Sequence, residues 1–162
     1  MKKNILVLVE PEMPANTGNI ARTCVITNTA LHLVRPLGFQ LTDRYIKRAG
    51  MDYWEQLDLT VWDSLEEFLP FMEEHVKDGY RAFYATTKGR IRHDEMGLTP
   101  QIPWMILCGK ESAGLPAFLR EQHPERCFRI PMDPSQRSLN LSNAAAIMVY
   151  EALRQQGWPN LQ

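Results

Sequence analysis

The chain has 162 residues and is 44% hydrophobic, a composition typical of one globular domain. It excludes a disordered tail, a coiled coil and a collagen. The chain has 18 Lys and Arg residues and 19 Asp and Glu residues. The resulting net charge of -1 argues against a protein that coats nucleic acid with its whole surface. Any contact with RNA or DNA is therefore expected to come from a local basic patch.

The cysteines and the N-terminus indicate the compartment. Three cysteines are widely separated, form no C-x-x-C pair and do not cluster with histidines, so neither a disulfide framework nor a zinc site is expected. The first apolar run ends at Glu10, short of the roughly 7–15 residues of a signal-peptide core. No run approaches the roughly 18 apolar residues of a membrane helix. We expect a cytoplasmic protein without a metal or a membrane segment.

In chain order, hydrophobic runs alternate with helical patterns, which predicts a single domain over residues 1–162. Strands are predicted at residues 4–9, 31–34, 58–62, 81–85, 104–108 and 127–130. Helices are predicted at residues 17–28 behind an Asn16 N-cap, from the Ser64 capping box to about residue 76, and at about 140–156. This order predicts an α/β fold with a mainly parallel sheet, helices on both faces, and a ligand site at the carboxyl ends of the strands.

The common nucleotide-binding signatures are absent. Residues 109–114 have the glycine spacing of a P-loop, but Leu115 and Pro116 stand where Lys and Ser or Thr are needed. No G-x-G-x-x-G follows the first strand, and no G-x-S-x-G occurs. A P-loop, a Rossmann dinucleotide site and a serine-hydrolase elbow are therefore disfavoured.

The first of three unusual polar segments spans residues 14–22. It places Asn16 and Gly18 at a predicted helix N-terminus and Arg22 about one turn inside. Free N–H groups at a helix N-terminus attract anions, and an arginine can clamp a phosphate with two hydrogen bonds. A capped helix with one exposed arginine explains the same residues equally well.

The second and third segments span residues 107–116 and 130–146. In the second, Gly109 and Gly114 flank Glu111 after a buried strand, as in a turn that a ligand approaches closely or in a simple strand-to-helix turn. The third gathers Ser138, Asn140 and further polar residues at the start of the most apolar helix. That is more polarity than one helix cap requires.

Taken in this order, the three segments resemble the tRNA 2′-O-ribose methyltransferases of the SPOUT (α/β-knot) superfamily. The likeness is greatest to the small single-domain group that methylates the wobble nucleotide of leucine tRNAs. It covers nearly the whole chain and includes residues 8–12, 48–53, 86–89 and 150–152. The resemblance implies a C-terminal deep trefoil knot, S-adenosylmethionine as cofactor, a tRNA substrate and a homodimer.

The resemblance also implies roles for individual residues. The cofactor-binding positions are Ala85, Gly109, Ile130 and Ser138. The polar positions of the active site are Arg22, Asn16, Glu111 and Asn140. Ser142 and Asn143 are expected to order the knot loops.

The family proposal makes Arg22 the base that removes the ribose proton. An arginine keeps its proton in proteins, and a neighbouring phosphate favours the charged form still more. We therefore expect Arg22 to clamp a phosphate and to stabilise the developing alkoxide. The proton then leaves through a phosphate oxygen or water.

Two basic clusters are candidates for the RNA surface, although each also fits a solvated face. The first is Arg44, Lys47 and Arg48, which a helix would place in one stripe. The second is Lys88, Arg90 and Arg92, in the predicted loop at residues 86–103. Two other functions remain open at this point: 2′-O-methylation of another tRNA or rRNA nucleotide, and a knotted RNA-binding protein without catalysis.

Overall fold

The computed structural model describes residues 2–42, 44, 48 and 53–162. Within that part of the chain the helices are α1 (Pro14–Ile26), α2 (Leu65–Lys77), α3 (Ala117–Gln122) and α4 (Leu141–Gln155). The strands are β1 (Ile5–Val9), β2 (Ala30–Val34), β3 (Leu59–Trp62), β4 (Arg81–Ala85), β5 (Ile91–Arg92), β6 (Trp104–Gly109) and β7 (Cys127–Arg129).

All strand pairs in the described part of the chain are parallel, and they form one sheet of seven strands in the order β3-β2-β1-β6-β4-β7-β5. In the register of β1, Ile5 lies opposite Ala30 on one side and Met105 on the other. Because the strands run in one direction, the loops that follow β1, β4, β6 and β7 meet at one edge. The predicted α/β fold with a parallel sheet is confirmed.

The two faces of the sheet carry separate apolar cores. Leu6 and Leu8 of β1 face a core completed by α1 and α4. Ile5, Val7 and Val9 face the opposite core, which α2 and α3 complete. A strand buried on both faces reads as a continuous apolar run, which is why β1 shows no polar alternation.

The predicted start of the first helix is wrong. The helix begins at Pro14 with Met13 as N-cap, so Asn16 lies inside the first turn and not at the cap. Proline suits the first helical position because its φ is already helical and no N–H is needed there. As a result, the Asn16 side chain is free to make tertiary contacts.

The other helix caps agree better with prediction. The Ser64 hydroxyl accepts a hydrogen bond from the backbone N–H of Glu67 at 3.2 Å, as a capping box requires. Asn140 caps α4. The prediction missed β5 inside the long polar loop, and it gave a helix after Pro116 only as one of two alternatives, since elements of two and six residues are too short for hydrophobic periodicity to establish.

No helix in the described ranges is long and apolar enough to cross a membrane. The same residues contain no group of three or more His, Cys, Asp or Glu side chains that could hold a metal ion. The C-terminal knot that the resemblance implies stays a prediction.

His32 lies in an aromatic cluster between β2 and α2, and it is expected to make stability depend on pH. Its ring packs against Trp62 and Phe71, and the Trp62 Nε1–H donates to His32 Nδ1 at 3.1 Å. Burial, opposed by the charge of Asp58, lowers the His32 pKa from 6.5 to about 4. The native state therefore keeps the ring neutral while the unfolded chain takes up a proton below pH 6.5. The free energy of unfolding should fall by about 1 kcal/mol between pH 7.5 and 5.5 from this group alone.

The measurement is urea unfolding of the wild type and of His32→Asn at both pH values. Asparagine keeps an acceptor for Trp62 but cannot titrate. The variant should be less stable at pH 7.5 and should lose less free energy on acidification than the wild type. Equal losses in the two proteins would exclude His32 as the source.

Candidate active site

A cavity of about 450 Å³ opens at the carboxyl edge of the sheet, between the loops that follow β1, β4, β6 and β7. Its size is that of pockets that hold small-molecule ligands. Seven of the eight predicted site residues line it: Asn16, Ala85, Gly109, Glu111, Ile130, Ser138 and Asn140. The parallel topology thus brings together residues that are up to 124 positions apart in the sequence.

Glu111 joins the loop after β6 to the start of α1. Its carboxylate accepts hydrogen bonds from the backbone N–H groups of Glu12 at 2.8 Å and Met13 at 3.1 Å. It also accepts one from the Asn16 side-chain amide at 3.3 Å. Both carboxylate oxygens are therefore engaged, so Glu111 orients the neighbouring loop and the Asn16 amide.

Asn140 continues this chain of hydrogen bonds. Its amide nitrogen donates to Asn16 Oδ1 at 3.1 Å, and its own oxygen accepts from the Ser142 backbone at 2.9 Å and from the Ser142 hydroxyl at 2.6 Å. Asn16 is only 4% exposed. Because Asn16 donates to Glu111 and accepts from Asn140, its amide cannot flip without losing both bonds.

Two substitutions at Asn140 separate its role as the N-cap of α4 from its hydrogen bond to Asn16. Aspartate at this position still caps α4, so Asn140→Asp should unfold at nearly the wild-type urea concentration, whereas Asn140→Ala should lose about 1 kcal/mol. Both variants lose the donor to Asn16 and should be about tenfold slower in the reaction proposed below. Unfolding curves and single-turnover rates test this together. An Asn140→Asp protein with wild-type rate would show that the amide donor has no role in the reaction.

Gly109 ends β6 and allows the chain to reverse tightly. A Cβ atom at this position would lie 2.2 Å from the backbone nitrogen of Leu115. The turn is closed by the Gly114 N–H, which donates to the Lys110 carbonyl at 2.9 Å. The close approach expected at Gly109 is therefore made by the chain's own backbone, and the turn carries Glu111 to the cavity.

Arg22 is the one predicted site residue that does not line this cavity. It is exposed on α1, where its guanidinium lies 4.8 Å from the centre of the Tyr53 ring and donates to the Tyr53 hydroxyl at 3.3 Å. Asn16 and Arg22 are six residues apart, which places them about 120° apart around a helix. One chain therefore presents the two side chains in different directions.

The structure divides the predicted basic cluster at residues 88–92. Lys88 lines the cavity, but Arg92 is paired with Asp94 and Glu95 at 2.8 and 3.4 Å. Arg120, from α3, also lines the cavity. Sequence analysis did not single out Arg120, because it lies in the short helix that was only one of two alternatives after Pro116.

The cluster at residues 44–48 is described only in part. Lys47 lies outside the described residues, while Arg44 and Arg48 are exposed.

Comparisons of this chain with known proteins bear on the site. A tRNA (cytidine(34)-2'-O)-methyltransferase from Methylovorus glucosotrophus is 46% identical over 151 residues, which cover 93% of this chain and 94% of that protein. A solved structure concerning 2-OH methylation of C/U34 on tRNA superposes with a TM-score of 0.81 and 41% identity, and the match covers 94% and 95% of the two chains.

An AdoMet-bound rRNA methyltransferase from Sinorhizobium meliloti gives a TM-score of 0.81 at 25% identity, and the match covers 94% of this chain and 56% of that one. The model of the SpoU rRNA Methylase family matches residues 3–150, which include every residue that joins the loops around the cavity. The chain belongs to the SpoU rRNA Methylase family.

Proposed function

We propose that the protein transfers a methyl group from S-adenosylmethionine to the ribose 2′-oxygen of the wobble nucleotide of tRNA, a cytidine or a modified uridine at position 34. The single observation that carries this is the cavity whose wall joins Asn16, Glu111 and Asn140 by hydrogen bonds. The relatives named for position 34 of tRNA, at 41–46% identity, support the choice of nucleotide. Leucine tRNAs in the cytoplasm are the expected substrates.

The cavity suits this cofactor chemically. Apolar side chains from three parts of the chain, Leu115, Ile130 and Met148, face it and offer a surface for an adenine ring. Ser138 and the backbone around Gly109 add polar groups at its edge. S-adenosylmethionine, when bound, supplies the methyl group from its sulfonium, which leaves as a neutral thioether.

The protein's own contribution is to position the ribose and to assist the removal of the proton from its 2′-hydroxyl. As the new O–CH₃ bond forms, the 2′-hydroxyl must lose its proton. The described lining of the cavity offers no histidine, and the Glu111 oxygens already accept hydrogen bonds. Arg22 clamps the phosphate and stabilises the forming alkoxide, while a phosphate oxygen or water takes the proton.

We propose that a second copy of the chain brings Arg22 to the cavity. Arg22 and Ile26 share an exposed face of α1, and Ile147, Tyr150 and Trp158 are exposed on or just after α4. These apolar side chains are 38–50% exposed, as expected for a surface that another subunit covers. A homodimer through α1 and α4 places Arg22 at the cavity of the partner and completes the site.

The carboxyl edge of the sheet also forms the RNA-binding side. Lys88 and Arg120 line the cavity without an acidic partner in the described residues, and Arg137 lies one residue before Ser138. Phosphates of an anticodon stem-loop are the matching ligands, and affinity should fall as salt rises.

The decisive experiment incubates the protein with S-adenosylmethionine and tRNA from cells that lack its gene, followed by digestion and mass spectrometry. The expected product is a new 2′-O-methylcytidine or 2′-O-methyluridine at position 34. A methylated nucleoside in rRNA but not in tRNA would replace the proposed substrate. Cofactor binding without any methylated nucleoside would favour an RNA-binding protein without catalysis.

A further inference from the structure

At the cavity wall, the loops after β1 and β6 each donate hydrogen bonds to a glutamate carboxylate of the other loop. Glu111, in the loop after β6, accepts from the backbone of Glu12 and Met13. Glu12, in the loop after β1, accepts from the backbone N–H of Ser112 at 2.9 Å and from its hydroxyl at 2.7 Å. Each loop therefore supplies both a carboxylate and the donors that bind the other loop's carboxylate.

The two glutamates differ in position. Glu111 and Ser112 line the cavity, whereas Glu12 does not. The hydrogen bonds from Ser112 lower the pKa of the Glu12 carboxyl, which is consistent with an ionised group at neutral pH. Glu12 thus acts on the cavity wall from outside, and no atom of it needs to touch a ligand.

The part of the wall that Glu12 holds is short, and we call residues 110–114 the wall turn. This turn is closed by the hydrogen bond from the Gly114 N–H to the Lys110 carbonyl. The wall turn is also held to the loop after β1 by the Lys110–Glu10 ion pair at 2.7 Å and by the hydrogen bonds of the Glu12 and Glu111 carboxylates. Ser112 is exposed, so without the Glu12 carboxylate water would replace its partner and the turn would lose two of its hydrogen bonds to the loop after β1.

We propose that Glu12 is a positioning residue for methyl transfer: through Ser112 it holds the wall turn against α1 and thereby fixes Glu111 and the Asn16 amide. The inference rests on the proposed function for its effect on rate, but not for its effect on the wall turn. Glu12→Ala removes both acceptor oxygens, so the N–H group and the hydroxyl of Ser112 both lose their partner on the loop after β1.

The first test uses the protein without cofactor or RNA. Amide hydrogen exchange at residues 110–114 should be about tenfold faster in Glu12→Ala than in the wild type, with β6 and α4 unchanged. The matched control is Glu121→Ala, because Glu121 is exposed on α3 and its side chain makes no hydrogen bond or ion pair with any described residue. Equal exchange in the two variants would overturn the proposal, whether or not the protein is a methyltransferase.

The second test is a double-mutant cycle on the affinity for S-adenosylmethionine, measured by calorimetry. Glu12→Ala and Ser112→Ala should each weaken binding about tenfold, and the double variant should be no weaker than the worse single variant. Ser112→Thr keeps the hydroxyl and should restore wild-type affinity. Losses that multiply in the double variant would show that the two side chains act separately.

The third test is the single-turnover rate at saturating cofactor and tRNA, where Glu12→Ala should be about tenfold slower at an unchanged urea midpoint of unfolding. An unchanged rate would show that the wall turn does not position the reacting groups. A wild type that methylates no RNA would refute the proposed function and leave the exchange test to decide the role of Glu12.

Discussion

The substitution Arg22→Ala is expected to slow methyl transfer about 100-fold or more, the usual effect of removing a donor that stabilises developing negative charge. Arg22→Lys keeps the charge but not the forked pair of donors, so it should be about tenfold slower. Both variants should fold, since Arg22 is exposed and loses only its contact with Tyr53. Arg81→Ala, at the opposite edge of the sheet, is the control. Wild-type turnover by Arg22→Lys would exclude the two-bond clamp.

A mixed dimer decides which cavity Arg22 serves. One subunit carries Arg22→Ala and its differently tagged partner carries Gly109→Ala, which is expected to reduce the affinity for the cofactor more than 100-fold. If Arg22 reaches the partner's cavity, the first subunit's intact cavity receives the second subunit's Arg22. The mixed dimer should then have about half of the wild-type activity, although both parent dimers are inactive. An inactive mixed dimer would place Arg22 at the cavity of its own chain, and a monomeric wild type would exclude the proposed assembly.

Much of the fold followed from the sequence because buried parallel strands leave a strong signal. The run at β1 and the Ser64 capping box are local patterns, and both were predicted correctly. β5 was missed, and the helix after Pro116 was only one of two alternatives, since two and six residues span too little of a period. Asn16 was assigned to the cap because asparagine favours that position, but the proline at Pro14 starts the helix earlier.

The site shows a similar division between local and non-local information. Gly109 and Asn140 carry local signals, a glycine after a strand and a polar residue before a helix. The bond from Asn140 to Asn16 joins residues 124 positions apart, and no local pattern predicts such a contact. The resemblance named Asn16, Glu111 and Asn140 as a group, but not their order of hydrogen bonding. The role of Glu12 has no local signal at all, because its partner Ser112 lies 100 residues away.

The substitution Gly109→Ala is expected to reduce the affinity for S-adenosylmethionine more than 100-fold while the protein stays folded. The added methyl group would lie 2.2 to 2.6 Å from backbone atoms of Gly114 and Leu115, and backbone cannot rotate away as a side chain can. The turn must therefore open, which costs about 1–3 kcal/mol of overpacking strain and moves Glu111 away from Met13 and Asn16. Calorimetry of cofactor binding and urea unfolding give the two quantities.

The matched control is Gly79→Ala, at the end of α2. Gly79 has a φ of +96° and no neighbour within 4 Å of the added Cβ, so alanine is strained there without a clash. This variant should lose about 1–2 kcal/mol of stability and keep wild-type cofactor affinity. If Gly109→Ala bound the cofactor as well as Gly79→Ala does, the turn after β6 would not form the cofactor wall. Loss of affinity in Gly109→Ala alone would tie binding to the shape of that turn, since both variants are strained but only one displaces it.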